Sequence, residues 1–179
     1  MPASAGWTIL HTEHSDGWGG QEMRIVSEGA GIAAHGCRVL LAARPGAGIL
    51  APAAAAGIET VAIEMRGNLD PRALLELLGL LRRERVDIVN THSSVDAWLG
   101  GAAARLAGVP LIRTRHISKP VHAHWFNRVH RWPDVTVTTG AALRDAFVRD
   151  TGLPAERVVS IPTGVDVEHF RPCLLYTSD

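Results

Sequence analysis

The sequence predicts an α/β fold built on a doubly wound, parallel sheet. Seven short β-rich runs alternate along the chain with segments whose apolar residues follow helical spacing, and this alternation is typical of parallel strands joined by crossover helices. Most of the runs are almost continuously apolar, as expected of strands covered on both faces. The predicted strands are Trp7–His11, Arg38–Ala43, Thr60–Ile63, Asp87–Thr91, Leu111–His116, Val135–Thr138 and Val158–Ile161.

The segments between these strands carry the boundary signals of helices. Gln21–His35 places apolar residues at helical spacing after the first strand. Asp70 is a typical N-cap, and Pro71 suits the first position of a helix over residues 71–85. Further helices are predicted over 94–108 and 140–152, which both end in glycine, and a short one over the Ala-rich residues 51–57.

Composition narrows the class of protein. The 179 residues suffice for one domain with a sizeable core. Lys+Arg and Asp+Glu balance at 18 each, so bulk charge gives no indication of nucleic acid as a partner. No apolar stretch approaches the roughly 20 residues that cross a bilayer, and the first residues lack the pattern of a secretion signal. With two cysteines and no disulfide framework, we expect a cytoplasmic setting.

The loop "GWGGQEMR", residues 17–24, follows the first predicted strand and leads into the first helix. Glycines there let backbone approach a ligand closely, and the helix N-terminus favours an anion; a tight turn without a ligand is an equal alternative. The dinucleotide fingerprint fails, because Glu22 stands where its third glycine would fall and Arg44 where its acidic residue would lie. The Walker pattern fails as well, since no Gly-Lys-Ser/Thr follows.

Several motifs in fixed order resemble family 4 of the retaining glycosyltransferases. They are "GGQEMR" with the helix after it, "HGCRVLLAARPG", "VDIVNTHSS", "GVPLIRTRH", "VTVTTGAALRD" and "VVSIPTGVDVEHFRP". The last is the most specific: it is similar to the family's Pro-Asn-Gly-Val-Asp segment, with Thr163 in place of Asn. The resemblance covers Trp7 to Pro172.

The resemblance implies one half of a GT-B architecture, namely the N-terminal, acceptor-side, Rossmann-like domain over residues 1–172. It implies a nucleotide-sugar donor, held mainly by a C-terminal domain beyond this chain, and a glycan or lipid-linked glycan acceptor. It further implies that backbone at Gly19 and Gly20 approaches the leaving diphosphate, that no metal or other cofactor takes part, and that this piece alone is inactive. Nucleic acid is not an expected partner.

Four side chains at predicted strand ends are candidates for the site. The resemblance assigns His116 a contact with the acceptor or the transferred sugar; the alternative is a histidine bonded to local backbone. His92, with Ser93 beside it, either lines the acceptor pocket or caps the next helix. Arg44, like Arg66, either meets an anionic acceptor or is solvated. Strand alternation predicts that Arg113 and Arg115 share a face that excludes His116.

Three further features leave alternatives. His122, His124 and His130 do not share one helix face and have no Cys or carboxylate to complete a structural zinc set, so a solvated helix is favoured over a metal site. The apolar segment 74–85 favours burial, with peripheral contact at the inner membrane face as an option. Residues Cys173–Asp179 fit no pattern and are interpreted as a non-native tail, the alternative being a real terminus.

Two other functions remain open from the sequence. One is a non-catalytic Rossmann-like module that binds a nucleotide or phospho-ligand, and the other is an intact small α/β enzyme. No pair of carboxylates marks a double-displacement nucleophile, which favours a mechanism assisted by the leaving phosphate.

Overall fold

A computed structural model describes residues 6–117, 119–121, 125–164 and 167. It contains a seven-stranded sheet in which every neighbouring pair of strands is parallel. The strand order is β3-β2-β1-β4-β5-β6-β7, so the doubly wound α/β prediction is confirmed. The strands are β1 Thr8–Glu13, β2 Arg38–Ala43, β3 Glu59–Ala62, β4 Ile88–Thr91, β5 Leu111–Arg115, β6 Val135–Thr138 and β7 Val158–Ser160.

The helices lie between the strands, close to their predicted positions. They are α1 Gly20–Ala34, α2 Leu50–Ala55, α3 Pro71–Arg83, α4 Ser94–Ala107 and α5 Ala141–Thr151, with 3-10 turns at Trp125–Arg131 and Ala155–Arg157. The Asp70 carboxylate caps α3 by accepting the N–H groups of Arg72 and Ala73 at 3.0 and 3.3 Å. Gly108 and Gly152 end α4 and α5 with φ of 69° and 64°, the left-handed conformation that glycine adopts without strain.

The core has one layer on each face of the sheet. On one face α3 and α4 pack through residues such as Leu77, Leu80 and Leu99, and on the other α1 and α2 pack through Ile25 and Ala53. The inner side of the apolar segment 74–85, most of which lies in α3, is therefore buried against the sheet and α4. No helix in the described ranges is both long and apolar enough to span a bilayer.

The order of the strands fixes where a ligand can bind. The chain moves outward from β1 through β2 to β3 and then returns to place β4 on the other side of β1. The connections on the two sides therefore diverge at the carboxyl ends of β1 and β4, and this crevice is where open α/β sheets bind ligands.

Candidate functional site

A cavity of about 220 Å³ lies at the carboxyl ends of β4 and β5. The first turn of α1 reaches it through Gln21, and the start of α4 reaches it through Ser93 and Ser94. The residues after β5 close the other side. The polar side chains that line the cavity thus come from four separate parts of the chain, among them His92, Arg113, Arg115, His116 and Lys119.

Three histidines form a hydrogen-bonded chain that ends at this cavity. His11 Nδ1 lies 2.9 Å from His92 Nε2, and His92 Nδ1 lies 3.0 Å from His116 Nε2. The His11 and His92 rings are stacked, with centroids 5.1 Å apart. Because His92 Nδ1 holds His116 Nε2, the ring nitrogen that His116 can offer to a ligand is Nδ1.

Burial keeps these three imidazoles neutral. It lowers the pKa of His11 to about 4. The pKa of His92 falls well below its ordinary value, first through burial and then through the neighbouring His11 and His116. Burial, with Arg24 as a second cause, lowers the pKa of His116 to about 4. A neutral imidazole carries one donor and one acceptor, so the chain transmits hydrogen bonds without carrying charge.

The carboxylate of Asp96 organises the start of α4 beneath the histidines. It accepts the backbone N–H groups of His92 and Ser93 at 2.7 and 2.8 Å, and the Thr12 hydroxyl at 3.0 Å. The Ser93 hydroxyl also donates to it. The backbone of His92 helps to cap α4 while its ring lines the cavity; its role toward the acceptor remains a prediction. Ser93 is the N-cap residue, and its hydroxyl is engaged by Asp96.

Glu13 is a second buried carboxyl group, at the last position of β1. It accepts the Ser15 N–H at 2.7 Å and the Gln21 side-chain amide. Burial, followed by the negative charge of Asp96, raises the pKa of Glu13 to about 7. The sequence prediction ended the first strand at His11, and so placed Glu13 in a loop instead of in the sheet.

The glycine loop does not use unusual backbone conformations. Gly19 is the N-cap of α1 with φ −153°, which is ordinary extended backbone, and Gly20 is not among the glycines with positive φ. Gly20 therefore does not depend on the positive φ that glycine allows. A Cβ on Gly20 would meet no atom of the described residues within 4 Å. Open space beside the first N–H groups of α1, which have no intrahelical acceptor, leaves room for a ligand.

The Gly19 N–H is already occupied. It donates to Glu22 Oε2 at 2.9 Å, so a diphosphate at this loop would have to displace that carboxylate. The N–H groups that remain available to a ligand are therefore those of the first turn of α1, beginning at Gly20. Gly19 and Gly20 remain predictions as donor-phosphate residues.

The arginines at the strand ends differ in whether they reach the cavity. Arg44 lies outside the cavity and forms ion pairs with Asp16 at 2.6 Å and Glu64 at 3.3 Å; its role toward the acceptor remains a prediction. Arg113 and Arg115 are buried and line the cavity together, as strand alternation predicted. The prediction that His116 would lie on the other face is wrong. β5 ends at Arg115, so His116 lies beyond the strand, does not follow its alternation, and lines the same cavity.

Arg24 is a functional candidate that the sequence did not indicate. Its side chain is buried on α1 and donates to the Ile161 carbonyl and the Thr163 hydroxyl, both at 2.9 Å. Its Nε lies 2.5 Å from Glu28. Arg24 thereby connects α1 to the "PTG" segment after β7, where Thr163 replaces the asparagine of the resembled motif.

The histidine-rich stretch differs in part from its prediction. His122 and His124 lie outside the described residues. His130 is buried and packs edge-on against Phe147 at 5.6 Å, so the solvated-helix interpretation is wrong for it. Its ring also borders the cavity, and burial, followed by the positive charges of Arg113 and Arg115, lowers its pKa to about 3. Within the described ranges, no group of three or more His, Cys, Asp or Glu residues could hold a metal ion.

The fold matches one half of the GT-B glycosyltransferases. Residues 18–169 match the model of Glycosyltransferase Family 4, and the chain belongs to that family. It is 32% identical over 116 residues to the Escherichia coli UDP-Gal:alpha-D-GlcNAc-diphosphoundecaprenol alpha-1,3-galactosyltransferase, a match that covers 59% of this chain and 30% of that protein.

Solved structures show the same fold at low identity. Anabaena Alr3699/HepE in complex with UDP and glucose has a TM-score of 0.72 at 17% identity, and the match covers 90% of this chain and 46% of that one. A glycosyltransferase from Rickettsia africae has a TM-score of 0.77 at 16% identity, with 96% and 47% covered. The chain thus spans about half the length of these structures.

Proposed function

We propose that this chain is the N-terminal, acceptor-side domain of a retaining glycosyltransferase. The whole enzyme moves a sugar from a nucleotide-diphosphate donor to a hydroxyl of a glycan or lipid-linked glycan. The observation that carries the proposal is the cavity at the carboxyl ends of β4 and β5, with His116 at its wall, in a member of this family. The E. coli relative, whose name specifies a lipid-linked diphosphate sugar as acceptor, supports the same substrate class.

The residues of the site have distinct roles in this proposal. His116 offers Nδ1 to the acceptor or the transferred sugar, while His92 and His11 fix its ring. The first turn of α1, beginning at Gly20, faces the leaving diphosphate. The backbone N–H groups of this turn and the positive end of the helix dipole stabilise the charge of the diphosphate. Nucleotide-binding groups on a second domain complete the site, and no metal is required. We propose that the enzyme works at the cytoplasmic face of the membrane, in peripheral contact with the lipid that carries the acceptor.

The test uses the full-length enzyme with a nucleotide-sugar and a lipid-linked acceptor. His116→Ala should lower kcat at least tenfold while the melting temperature stays within a few degrees, because the ring borders a cavity and contributes little packing. Gly20→Val should lower transfer at least tenfold, since its side chain fills the space in which the diphosphate approaches; losing one donor to a developing anion costs ~2.7–4 kcal/mol.

His35→Ala is the matched control. His35 lies on the surface at the end of α1, and its ring bonds to the Gly31 carbonyl of the same helix. Transfer by this variant should equal that of the wild type. Full turnover by His116→Ala would reject the assigned role of His116, and turnover by this 179-residue chain alone would reject the proposal that half of the enzyme lies elsewhere.

A further inference from the structure

The cavity beside His116 is lined by Arg113, Arg115 and Lys119, and none of the three forms an ion pair with an Asp or Glu of the described residues. Asp150 acts on Arg115 from nearby without pairing with it. The structure assigns this cavity as a binding site for a phosphate-class anion, held by Arg113, Arg115 and Lys119. The anion is the phosphate or diphosphate group of a substrate, and the identity of that substrate rests on the function proposed above.

The strongest indication is the guanidinium of Arg113. The residue is 5% exposed, and its Nε and Nη1 atoms are buried without a hydrogen-bond partner in the described part of the chain. Burial lowers the pKa of Arg113 to about 10, while Asp96 opposes that shift, so the side chain is still protonated at neutral pH. A buried cation with unpaired donors is costly, and an anion in the cavity that it lines offsets that cost.

Asp96 is close enough to influence Arg113 but does not form an ion pair with it. Its carboxylate is occupied by the Thr12 hydroxyl and the N–H groups of His92 and Ser93. Among the described residues that line the cavity, none is Asp or Glu. The positive charge of the wall is therefore available to a ligand.

Arg115 and Lys119 complete the charged wall. Arg115 is 6% exposed, and its Nη2 donates to the Lys119 carbonyl at 2.9 Å while the guanidinium lies 4.9 Å from the centre of the Phe147 ring. These contacts hold the segment after β5 in place and leave Arg115 Nε buried without a partner. Lys119 is exposed at the cavity mouth and adds a third positive charge there.

The chemistry of the wall favours phosphate over a neutral sugar. Two guanidinium groups and an ammonium group match the charge of a phosphate or diphosphate, and arginine forms bidentate hydrogen bonds with such oxyanions. The N-terminus of the 14-residue helix α4 borders the same cavity through Ser93 and Ser94 and adds positive potential. A neutral hydroxyl would leave the unpaired donors of Arg113 uncompensated.

Titration of the ¹⁵N-labelled 179-residue chain with pyrophosphate tests the site directly. We expect saturable shifts of the backbone amides of Ser94, His116 and Lys119. Arg113→Gln should weaken binding at least tenfold, because hydrogen bonds to charged groups are the strong ones. Arg105→Gln removes the same charge at the opposite end of α4, where Arg105 pairs with Asp134 on the surface, and should bind pyrophosphate as the wild type does.

Three results would overturn the assignment: no saturable binding up to about 10 mM pyrophosphate, wild-type affinity in Arg113→Gln, or equal losses in Arg113→Gln and Arg105→Gln. If Arg113→Gln does not fold, as judged by its melting curve, Lys119→Gln takes its place. Lys119 is exposed, so this variant should fold and bind about threefold more weakly, and unchanged affinity would reject the site.

Two further ligands distinguish the source of the anion. UDP represents the donor, and a soluble sugar 1-diphosphate with a short alkyl chain represents a lipid-linked acceptor. The anion site belongs to the donor if UDP displaces pyrophosphate at the lower concentration, and to the acceptor if the sugar 1-diphosphate does. If the full-length enzyme transfers sugar equally well with Arg113→Gln, the anion site is rejected and the proposed function stands. If the wild-type enzyme transfers no sugar while pyrophosphate still binds, the proposed function is rejected and the anion site stands.

Discussion

At the scale of single residues, the coupling of the three histidines determines what His116 can offer. A neutral His92 carries one proton, so one of its ring nitrogens donates and the other accepts. If Nδ1 donates, His116 must carry its proton on Nδ1, and His11 must donate from Nδ1 as well. If Nε2 of His92 donates, all three protons sit on Nε2. The tautomer of His116 is thus tied to that of a residue two hydrogen bonds away.

We therefore expect His11, His92 and His116 to share one tautomer. Two-dimensional ¹⁵N spectra of the imidazole rings distinguish protonated from unprotonated nitrogens and can be recorded on this chain near pH 7. His35 provides an internal reference, because its Nδ1 must donate to the Gly31 carbonyl at 2.8 Å. Mixed tautomers among the three buried rings would show that the chain does not act as a unit.

The candidate site was predictable from the sequence where its residues follow strands or, like Arg113 and Arg115, alternate along one strand. His92, Ser93 and His116 come directly after apolar runs, and the carboxyl ends of parallel strands meet at one edge of the sheet. His11 and Glu13 lie within β1, where the sequence does not show which strand becomes its neighbour. Arg24 was missed for a similar reason: its partners, Ile161 and Thr163, lie 137 and 139 residues away, and only the folded chain brings them together.

At the scale of elements, two glycines let α4 approach its neighbours closely: Gly100 faces β1 and β4, and Gly101 faces Trp132. A Cβ on Gly100 would lie 3.0 Å from Thr12 Oγ1 and 3.1 Å from Thr91 Cγ2, and one on Gly101 would lie 3.2 Å from the Trp132 ring. The sequence predicted the helix and its ends from capping residues, and β2 and β6 match their predicted bounds. It could not predict how near α4 approaches β1, because that depends on contacts between distant segments.

Gly100→Ala and Gly79→Ala should shift stability in opposite directions. Alanine stabilises the interior of a helix by about 1 kcal/mol relative to glycine, and a Cβ on Gly79 of α3 would meet no atom of the described residues within 4 Å. Gly79→Ala should therefore raise the free energy of unfolding by about 0.5–1 kcal/mol. At Gly100 the new methyl group pushes against Thr12, whose hydroxyl is bonded to Asp96, and we expect a loss of about 1–3 kcal/mol.

Urea denaturation of both variants beside the wild type measures this difference. The two substitutions are chemically identical, so their comparison removes the effect of helix propensity and isolates the contact with the sheet. A stabilised Gly100→Ala variant would show that α4 can move away from β1 and β4 without cost, contrary to the packing described above.

At the scale of the whole molecule, buried titratable groups set the dependence of stability on pH. His11, His92, His116 and His130 have pKa values lowered in the folded state. Unfolding exposes them, so they bind protons on unfolding between about pH 4 and their ordinary pKa of 6.5. Their contribution to stability is full above pH 6.5 and is lost as the pH falls toward 4. Glu13 acts in the opposite sense: its pKa is raised from 4.5 to about 7, so its contribution is full below pH 4.5 and is lost as the pH rises through 7.

Four histidines oppose one glutamate, so the free energy of unfolding should rise between pH 4.5 and 6.5. Each net proton contributes at most about 1.4 kcal/mol per pH unit. Urea unfolding at half-unit intervals of pH measures the slope. His130→Leu should flatten it by removing one proton-binding group from contact with Phe147, and Glu13→Gln should steepen it by removing the opposing group. Stability that is constant or falls across this range would mean that the buried imidazoles bind protons equally in both states, and a Glu13→Gln variant with the wild-type slope would mean that Glu13 does not titrate there.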